Sequence, residues 1–387
     1  MSMVEWKKLG DIAKRNKGIP ITAGQMSELN TSNGNVRVFA AGQTLADINE
    51  NDLPENCAHL KPSIIVKSRG YIDFVFYEKP FTHKNEMWSY SFDDREEGKF
   101  LYYYLTTKTE FFRKKAKANS VKLPQLCVAD TDDYLVPYPS LQEQKRIVGI
   151  LDTFTSSIDN LKEQIAQRRK QYEYYRDQLL DLEGKEGVEM KTLEQLSELV
   201  TKQTGFDYSS KIKPELVKKR IEGAIPFLQT RNFNGRNFDY NTEYYVPNHI
   251  VNQFPKIVLN KECLLLSIVG ASIGNVGLFP GSHICFLGGA ICVLKFKEDV
   301  LVPYIYEIMS SWYGQRLIQS KIKGAGQATI TVEDIRNFTI PYPQLKEQQR
   351  IVSILDTFEA SIQNLEAQLS QREKQYEYYR NKLLTFE

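Results

Sequence analysis

The sequence lacks the features that mark secreted, membrane-spanning or zinc-stabilised proteins. Its five cysteines form no CxxC pair and its four histidines are scattered, so neither a disulfide framework nor a structural zinc site is indicated. The longest apolar run, Ile284–Leu294, has 11 residues, too few to cross a bilayer. The N-terminal segment contains no apolar signal-peptide core. Cytoplasm is therefore the expected location.

Motifs of nucleotide-dependent and DNA-modifying enzymes are also missing. The chain contains no GxxxxGK[ST] loop and no Asn-Pro-Pro-Tyr or Asp-Pro-Pro-Tyr sequence. Gly270–Gly274 matches GxSxG, but Gly277 and Pro280 follow where a nucleophile elbow requires a helix. The acidic segment 93–99 is interpreted as a polar turn rather than a nuclease metal site. We therefore expect a non-catalytic chain without a cofactor or a metal.

A large excess of charge is absent as well. The 387 residues carry a net charge of +2, with +1 in residues 1–135 and +3 in residues 184–340. Residues 136–183 and residues 341–387 each carry −1. Any DNA contact must therefore come from local basic clusters in the two larger segments. The chain length favours two or three domains.

What the chain does contain is a repeat of 48 residues. Val136–Glu183 and Ile340–Glu387 lie 204 positions apart and share 31 identities without a gap. Each copy begins with Pro-Tyr-Pro, which cannot lie inside a helix, and continues without another proline. Each copy is preceded by a segment of its own, and these segments differ from one another. A weaker similarity relates Val4–Leu9 to Val188–Leu193, ahead of the two segments.

Both copies show apolar residues in alternating steps of four and three, which predicts two long helices forming a coiled coil. The apolar positions that we expect to pair the helices or contact partner subunits are Ile147, Leu151, Phe154, Ile158, Leu161, Tyr172 and Tyr175 in the first copy and Ile351, Leu355, Phe358, Ile362, Leu365, Tyr376 and Tyr379 in the second. Tyr174 and Tyr378 lie off this seam and are candidates for partner contacts or plain surface residues.

The direction of pairing is predicted from one charged layer. Arg168 and Arg372 occupy equivalent seam positions and would face each other in a parallel, in-register pair. Two facing guanidinium groups would repel and would need desolvation. An antiparallel pair separates the two guanidinium groups and is therefore favoured. If both side chains instead extend outward to solvent, they give no information about the direction.

The two variable segments combine strand and helix patterns. Ser63–Val66, Phe74–Tyr77, Cys263–Val269 and Ile291–Phe296 are rich in β-branched and aromatic residues and predict strands; Phe100–Lys117 and Pro303–Lys323 predict helices. The pattern indicates two α+β domains with mostly antiparallel sheets. Our predicted boundaries are 1–138 and 184–342 for these domains and 139–183 and 343–387 for the helical repeats.

This organisation, together with PYPxLxEQxRIVxILDTF and QYEYYRxxLL in both repeats, closely resembles the specificity subunit of type I restriction–modification systems. The resemblance implies two target-recognition domains related by a pseudo-twofold and joined by an antiparallel coiled coil. In the second domain, 270–277 resembles the family's glycine hairpin and 324–330 the loop before its last strand. The first domain departs from this pattern at 67–70 and 122–125.

The resemblance also implies a function. Each domain would recognise one half of a bipartite site on double-stranded DNA. The helices would fix the spacing of the two halves and dock two adenine-N6 methyltransferase subunits, and restriction subunits through them. The chemistry of S-adenosylmethionine and ATP would belong to those partners. Two alternatives remain: a specificity subunit for a fused restriction–methylation enzyme, and a coiled-coil adaptor whose domains bind proteins.

Candidate DNA contacts follow residue chemistry. Basic residues at the ends of the two predicted helices suit phosphates, although they also suit helix termini; they are Arg113, Lys114, Lys117, Lys122, Lys321 and Lys323. The segment 231–237 suits base edges or a plain turn, through Arg231, Asn232, Asn234, Arg236 and Asn237. Weaker candidates in the first domain are Lys67, Arg69, Tyr71, Lys84 and Asn85. The motifs of the family resemblance add Ser272, Gln327 and Thr329.

Overall fold

The computed structural model describes residues 4–120, 122–324 and 328–386. The chain divides into two compact units. Unit 1 comprises residues 1–163 and 367–387, and unit 2 comprises residues 164–366. This division passes through both long helices, so each unit contains a part of each helix. The predicted boundaries of the recognition domains therefore remain predictions.

Unit 1 combines short strands with helices that precede the first long helix. Its described strands are β1 Glu5–Lys8, β2 Lys14–Lys17, β3 Val36–Phe39, β4 Leu45–Ile48, β5 Ser63–Lys67, β6 Asp73–Tyr77, β7 Phe81–His83, β8 Trp88–Ser91 and β9 Leu135–Tyr138. Its described helices are α1 Leu9–Ile12, α2 Ala23–Leu29, a 3-10 turn at Glu50–Asp52, α3 Arg95–Thr107, α4 Thr109–Asn119, α5 Ala129–Asp132 and the start of α6 Leu141–Leu180.

Unit 2 repeats this plan with additional short elements. Its described strands are β10 Glu189–Thr192, β11 Ser197–Lys202, β12 Ala224–Leu228, β13 Phe233–Asn234, β14 Asn237–Phe238, β15 Tyr245–Pro247, β16 Val258–Leu259, β17 Cys263–Ser267, β18 Val276–Phe279, β19 Cys285–Leu287, β20 Ile291–Phe296 and β21 Thr339–Tyr342. Its described helices are α7 Leu193–Leu196, α8 Gly205–Asp207, a π-helical turn at Tyr208–Ile212, 3-10 turns at Lys213–Glu215, Thr230–Asn232 and Pro255–Ile257, α9 Asn248–Val251, α10 Val302–Ser310, α11 Trp312–Lys321, α12 Val332–Arg336 and the start of α13 Leu345–Leu383.

The sheets are mostly antiparallel, as predicted. The main sheet has the order β2-β8-β5-β6 in unit 1 and β11-β20-β17-β18 in unit 2, with antiparallel pairing throughout. A second sheet in each unit, β4-β3-β7 and β15-β12-β19-β16, contains one parallel pair, β3 with β7 and β12 with β19. The fold class is therefore α+β in both units.

The central strands are buried on both faces because each lies between two hydrophobic cores. In β5, Ile64 and Val66 pack with the helices of unit 1, whereas Ile65 packs with the second sheet. In β17, Leu264 and Leu266 face the helices, and Leu265 faces the second sheet. Successive side chains of a strand point to opposite faces, so an unbroken apolar run satisfies both cores.

Two sequence predictions about helices need correction. Each predicted long helix of a variable segment is two helices, because Lys108 leaves the helical conformation and Ser311 caps the second helix by accepting a hydrogen bond from the Gly314 amide. The acidic segment 93–99 is not a polar turn. Asp94 caps α3 by accepting from the amides of Glu96 and Glu97, so most of the segment is the first turn of a helix.

The last two residues of a strand in each unit are the first two of its Pro-Tyr-Pro segment. β9 pairs antiparallel with β1, and β21 pairs antiparallel with β10. The weak similarity of the two N-terminal segments therefore corresponds to a real structural equivalence. After each strand the long helix starts from the same contact, in which a glutamine amide, Gln144 or Gln348, donates to a proline carbonyl at 2.9 or 2.8 Å.

Within each unit, the segments of α6 and α13 run antiparallel. In unit 1 the rings of Phe154 and Tyr379 stack at 5.3 Å, and Lys162 lies 3.7 Å from Glu373. In unit 2 the rings of Tyr175 and Phe358 stack at 5.4 Å, and Arg169 pairs with Glu366. Positions in α6 increase as their partners in α13 decrease, which confirms the predicted direction.

Candidate nucleic-acid interface

In both units the turn after the central strand contacts the loop that precedes the last strand. In unit 1 the Gly70 amide donates to the Pro124 carbonyl at 2.9 Å. In unit 2 the Gly270 amide donates to the Ala328 carbonyl at 3.2 Å. Gly70 and Gly270 both have positive φ, 74° and 83°, a conformation that favours glycine. The first domain therefore forms the same loop contact as the second, although the two sequences differ at these loops.

The candidates near this loop in unit 1 differ in accessibility. Lys67 is buried, and its Nζ donates to the Gly42 carbonyl at 2.6 Å. Lys84 is half-buried and lies 3.2 Å from Glu86. Arg69 and Asn85 are exposed. All four remain predictions, and the exposed pair is better placed to contact a large ligand.

A second group in unit 1 lies on α4 and the segment after it. The Arg113 guanidinium stands 5.2 Å from the ring centroid of Tyr71, and its Nε donates to the Ile72 carbonyl. Glu110 raises the pKa of Arg113 through a side-chain hydrogen bond. The remaining predicted phosphate contacts, all exposed, are Lys114, Lys117 and Lys122.

In unit 2 the corresponding basic residues lie at the end of α11. Lys321 and Lys323 are exposed, and Lys323 lies 3.8 Å from Asp334. The backbones of Lys323 and Thr329 pair through two hydrogen bonds of 2.9 Å, which closes the loop before the last strand. Gln327 lies outside the described residues.

The segment 231–237 forms a turn and a two-residue hairpin. Arg231 is exposed and pairs with Glu243, whereas Asn232 is buried and accepts from the Gln229 amide at 2.9 Å. Asn232 therefore stabilises the turn, which was one of the two interpretations that the sequence left open for this segment. Asn234 and Asn237 are exposed on the hairpin strands. They and Arg231 are the members of this segment with side chains facing solvent.

Arg236 belongs to a network that the sequence did not predict. Its Nη2 lies 2.8 Å from Glu307 Oε1, and its Nη1 lies 2.7 Å from Asp356 Oδ1. Glu307 is fully buried on α10 and also accepts a hydrogen bond from the Tyr172 hydroxyl at 2.6 Å. Arg236 thus joins the hairpin to a helix of the domain and to α13, and its proposed base contact competes with two carboxylates.

The ionisation of this network follows from its burial. Burial raises the pKa of Glu307, against the opposing effects of Tyr172 and Arg236. Burial also lowers the pKa of the Arg236 guanidinium, but the carboxylates of Glu307 and Asp356 outweigh it and raise that pKa overall. The arginine therefore stays charged beside a buried carboxyl group, and removal of either partner leaves the other without its compensating contact.

The predicted pairing residues divide between the helix pair and the domain cores. Ile147 and Leu151 join the core of unit 1, and Ile351 and Leu355 join the core of unit 2. Further along the helices, Ile158, Leu161 and Ile362 are buried and Leu365 is half-buried. The tyrosines off the seam, Tyr174 and Tyr378, are 61% and 59% exposed and remain candidates for partner contacts.

Sequence reasoning missed Glu307, Asp152 and Asp356 as organising groups. One signal was available for the first, since Glu307 is the only charge in the apolar helix sequence VPYIYEIMS. Among the described residues, no group of three or more His, Cys, Asp or Glu side chains is placed to hold a metal ion. No helix in the described part of the chain has the length and apolarity needed to span a membrane.

The chain belongs to a family of DNA specificity domains. A profile described as "Type I restriction modification DNA specificity domain" matches residues 1–168 and again residues 185–373. The two matches together cover most of the chain, so the family resemblance seen in the sequence is confirmed.

Named relatives agree with this assignment. The specificity subunit of the type I restriction enzyme EcoR124I/EcoR124II of Escherichia coli is 29% identical over 400 residues, covering 99% of this chain and 94% of its own length. A putative type I restriction enzyme specificity subunit of Haemophilus influenzae is 27% identical over 419 residues, covering 100% and 96%. The crystal structure of a type I restriction–modification S subunit from M. genitalium shares the fold, with a TM-score of 0.62, 17% identity and coverage of 99% and 97%.

Proposed function

We propose that this chain is the specificity subunit of a type I restriction–modification complex and that each unit recognises one half of a bipartite DNA site. The observation that carries the proposal is the loop pair built twice on the same scaffold with different side chains. In unit 1 this loop carries Arg69, and in unit 2 it carries Ser272. Two domains that share one architecture but differ in surface chemistry are suited to recognise two different half-sites.

The proposal assigns the chemistry to partner subunits. Methyltransferase subunits would dock on the exposed faces of α6 and α13, where Tyr174 and Tyr378 offer equivalent aromatic side chains. Restriction subunits would join through them. The chain itself would neither cut nor methylate DNA. Detectable cleavage or methyl transfer by the pure chain, free of partners, would contradict this part.

The central experiment compares the methylation motif of host DNA with and without the gene. We expect loss of one bipartite adenine-methylation motif on deletion. Chimeric chains in which residues 1–138 or 184–342 are replaced by those of a relative should change one half of the motif and leave the other intact. A protein-binding adaptor would leave the motif unchanged and would lack the salt-dependent DNA binding that phosphate contacts produce.

We further propose that the length of the long helices sets the gap between the half-sites. Adding one heptad to both helices, with the seam kept in phase, adds about 10 Å of helix, comparable to about three base pairs. The bases recognised should stay the same while the preferred gap changes. Methylation or binding over a library of gap lengths tests this, and an unchanged gap in a folded variant would contradict it.

A further inference from the structure

Unit 2 contains an open cleft beside the β13–β14 hairpin. It lies between this hairpin, the turn at 270–275 and the α10–α11 helices, and its volume is about 430 Å³. That volume is within the usual range for ligand sites of about 300–1,000 Å³. Its polar lining comprises Asn234, Ser272, Asn275, Tyr306, Ser310 and Gln315. None of the described residues that line it is charged.

The orientation of two amide side chains in the cleft is fixed by backbone carbonyls. The Asn275 Nδ2 donates to the Phe233 carbonyl at 3.0 Å. The Gln315 Nε2 donates to the carbonyls of Gly274 and Met309 at 3.2 and 3.1 Å. Only the nitrogen of an amide can donate to these oxygens, so the oxygens Asn275 Oδ1 and Gln315 Oε1 are acceptors. The lining therefore holds two amide groups of fixed orientation, whose oxygens can accept, beside the Asn234 amide and the hydroxyls of Ser272, Tyr306 and Ser310, and it has no cation among its described residues.

The walls of the cleft are held by short contacts. Gly235 has a φ of 60°, and a Cβ there would approach the Tyr306 hydroxyl to 2.9 Å. The Leu278 amide donates to the Gly235 carbonyl at 3.1 Å, which ties the hairpin to the main sheet. The next residue, Arg236, anchors the hairpin through Glu307 and Asp356. Such support keeps the acceptors in place before any ligand arrives.

We propose that this cleft binds the edge of a DNA base that presents an exocyclic amino group, adenine or cytosine, in the half-site read by unit 2. Adenine N6 and cytosine N4 are the donors of the major groove, whereas guanine O6 and N7 and thymine O4 are acceptors. An acceptor facing the two amide oxygens would be repelled. A phosphate would find no cation among the described residues of the lining. The inference rests on the proposed function and specifies its chemistry.

The test uses the complete complex with its methyltransferase subunits and the half-site defined by the methylation motif. Each adenine of the second half-site is replaced in turn by purine without the 6-amino group, and each cytosine by the analogue without its 4-amino group. We expect one position at which affinity falls by about 5- to 100-fold. With Gln315→Met, removal of the same amino group should change affinity by less than about twofold, because its acceptor is gone.

Two further variants keep the result interpretable. Ser272→Leu fills the cleft from a surface turn and should abolish the same discrimination if Gln315→Met proves unstable. Gln319→Met, one turn further along α11 and outside the lining, is the matched control and should keep the wild-type pattern. If the complex binds its site specifically but no amino-group deletion depends on Gln315 or Ser272, the cleft proposal is wrong and the proposed function stands. If no sequence preference is found at all, the proposed function itself fails.

Discussion

Asp152 in unit 1 and Asp356 in unit 2 occupy the same position of the repeat but are held by different groups. Asp152 accepts from the Tyr103 hydroxyl at 2.5 Å and lies 3.1 Å from the Lys99 Nζ, both on α3. Asp356 pairs with Arg236, which comes from the hairpin. Each copy of the repeat supplies one aspartate carboxylate, and a different element of each domain contacts it.

The two aspartates are held differently because the residues at a second pair of equivalent positions differ. Tyr103 and Glu307 lie 204 residues apart at matching places in the two domain helices. A phenol at this place satisfies the carboxylate of the repeat directly. A buried carboxylate there requires a cation instead, and the hairpin provides it. Unit 2 therefore ties a segment of predicted base contacts to the long helix, whereas unit 1 makes its contact within the domain helix.

The largest expected effect comes from the replacement Arg236→Met, which tests this difference between the units. It leaves Glu307 buried without its cation and should lower the stability of unit 2 by about 3–5 kcal/mol. Native-state hydrogen exchange of the α10 amides reports this loss. The matched change Lys99→Met in unit 1 should cost less than about 1 kcal/mol at α3, because Tyr103 still holds Asp152. Adding Glu307→Gln to Arg236→Met should recover most of the loss, and equal effects in both units would remove the distinction.

The second prediction concerns a buried histidine in unit 1. Burial lowers the pKa of His83 to about 4, and the ring contacts the Lys84 carbonyl and the Ser89 hydroxyl. The unfolded chain takes up the proton near pH 6.5 but the folded unit does not, so unit 1 should lose stability as the pH falls from about 6.5 to 4. The loss should approach about 3 kcal/mol at the low end.

Unit 2 provides the control for this pH effect, because both of its histidines, His249 and His283, are exposed. Unit-resolved hydrogen exchange of wild type and His83→Gln between pH 7 and pH 4 isolates the contribution of the histidine from that of the carboxylates. As the pH falls across this window, the wild type should lose stability relative to the variant, and it should do so in unit 1 alone. A difference that is constant with pH would exclude His83 as the titrating group.

A third prediction separates the two units by their base contacts. Arg231→Ala should relax discrimination in the half-site of unit 2 by about 1–3 kcal/mol, and Arg69→Ala should do so only in the half-site of unit 1. Binding selections with randomised half-sites measure both effects in parallel. Relaxation of the same half-site by both variants would contradict the assignment of one half to each unit.

The smallest expected effect is a change in the salt dependence of DNA binding, and it should be the same in both units. Lys321→Ala with Lys323→Ala, and Lys114→Ala with Lys117→Ala, each remove two exposed cations. Each double variant should reduce the slope of log affinity against log salt by about 1.8 and leave the preferred bases unchanged. Titrations at several salt concentrations give the slopes. A change in base preference would show that these lysines do more than contact phosphates.

Local sequence patterns predicted the parts of the fold that depend on neighbouring residues. Apolar periodicity predicted the long helices, and β-branched and aromatic content predicted the strands Ser63–Lys67 and Ile291–Phe296. The antiparallel pairing followed from one charged layer of the repeat. Lys108 was missed as a helix break because no proline or glycine marks it. The role of Arg236 was missed because its partners lie 71 and 120 residues away. Such contacts depend on tertiary packing rather than on spacing.

The pairing of β1 with β9, and of β10 with β21, has a consequence for how this protein can change. Adjacent antiparallel strands lie about 5 Å apart, so the chain begins and ends each recognition domain at almost the same point. A domain attached in this way can be exchanged as a cassette with little strain at the junction. Because the two junctions also resemble each other in sequence, recombination between genes could give a host new DNA targets while the two long helices stay the same.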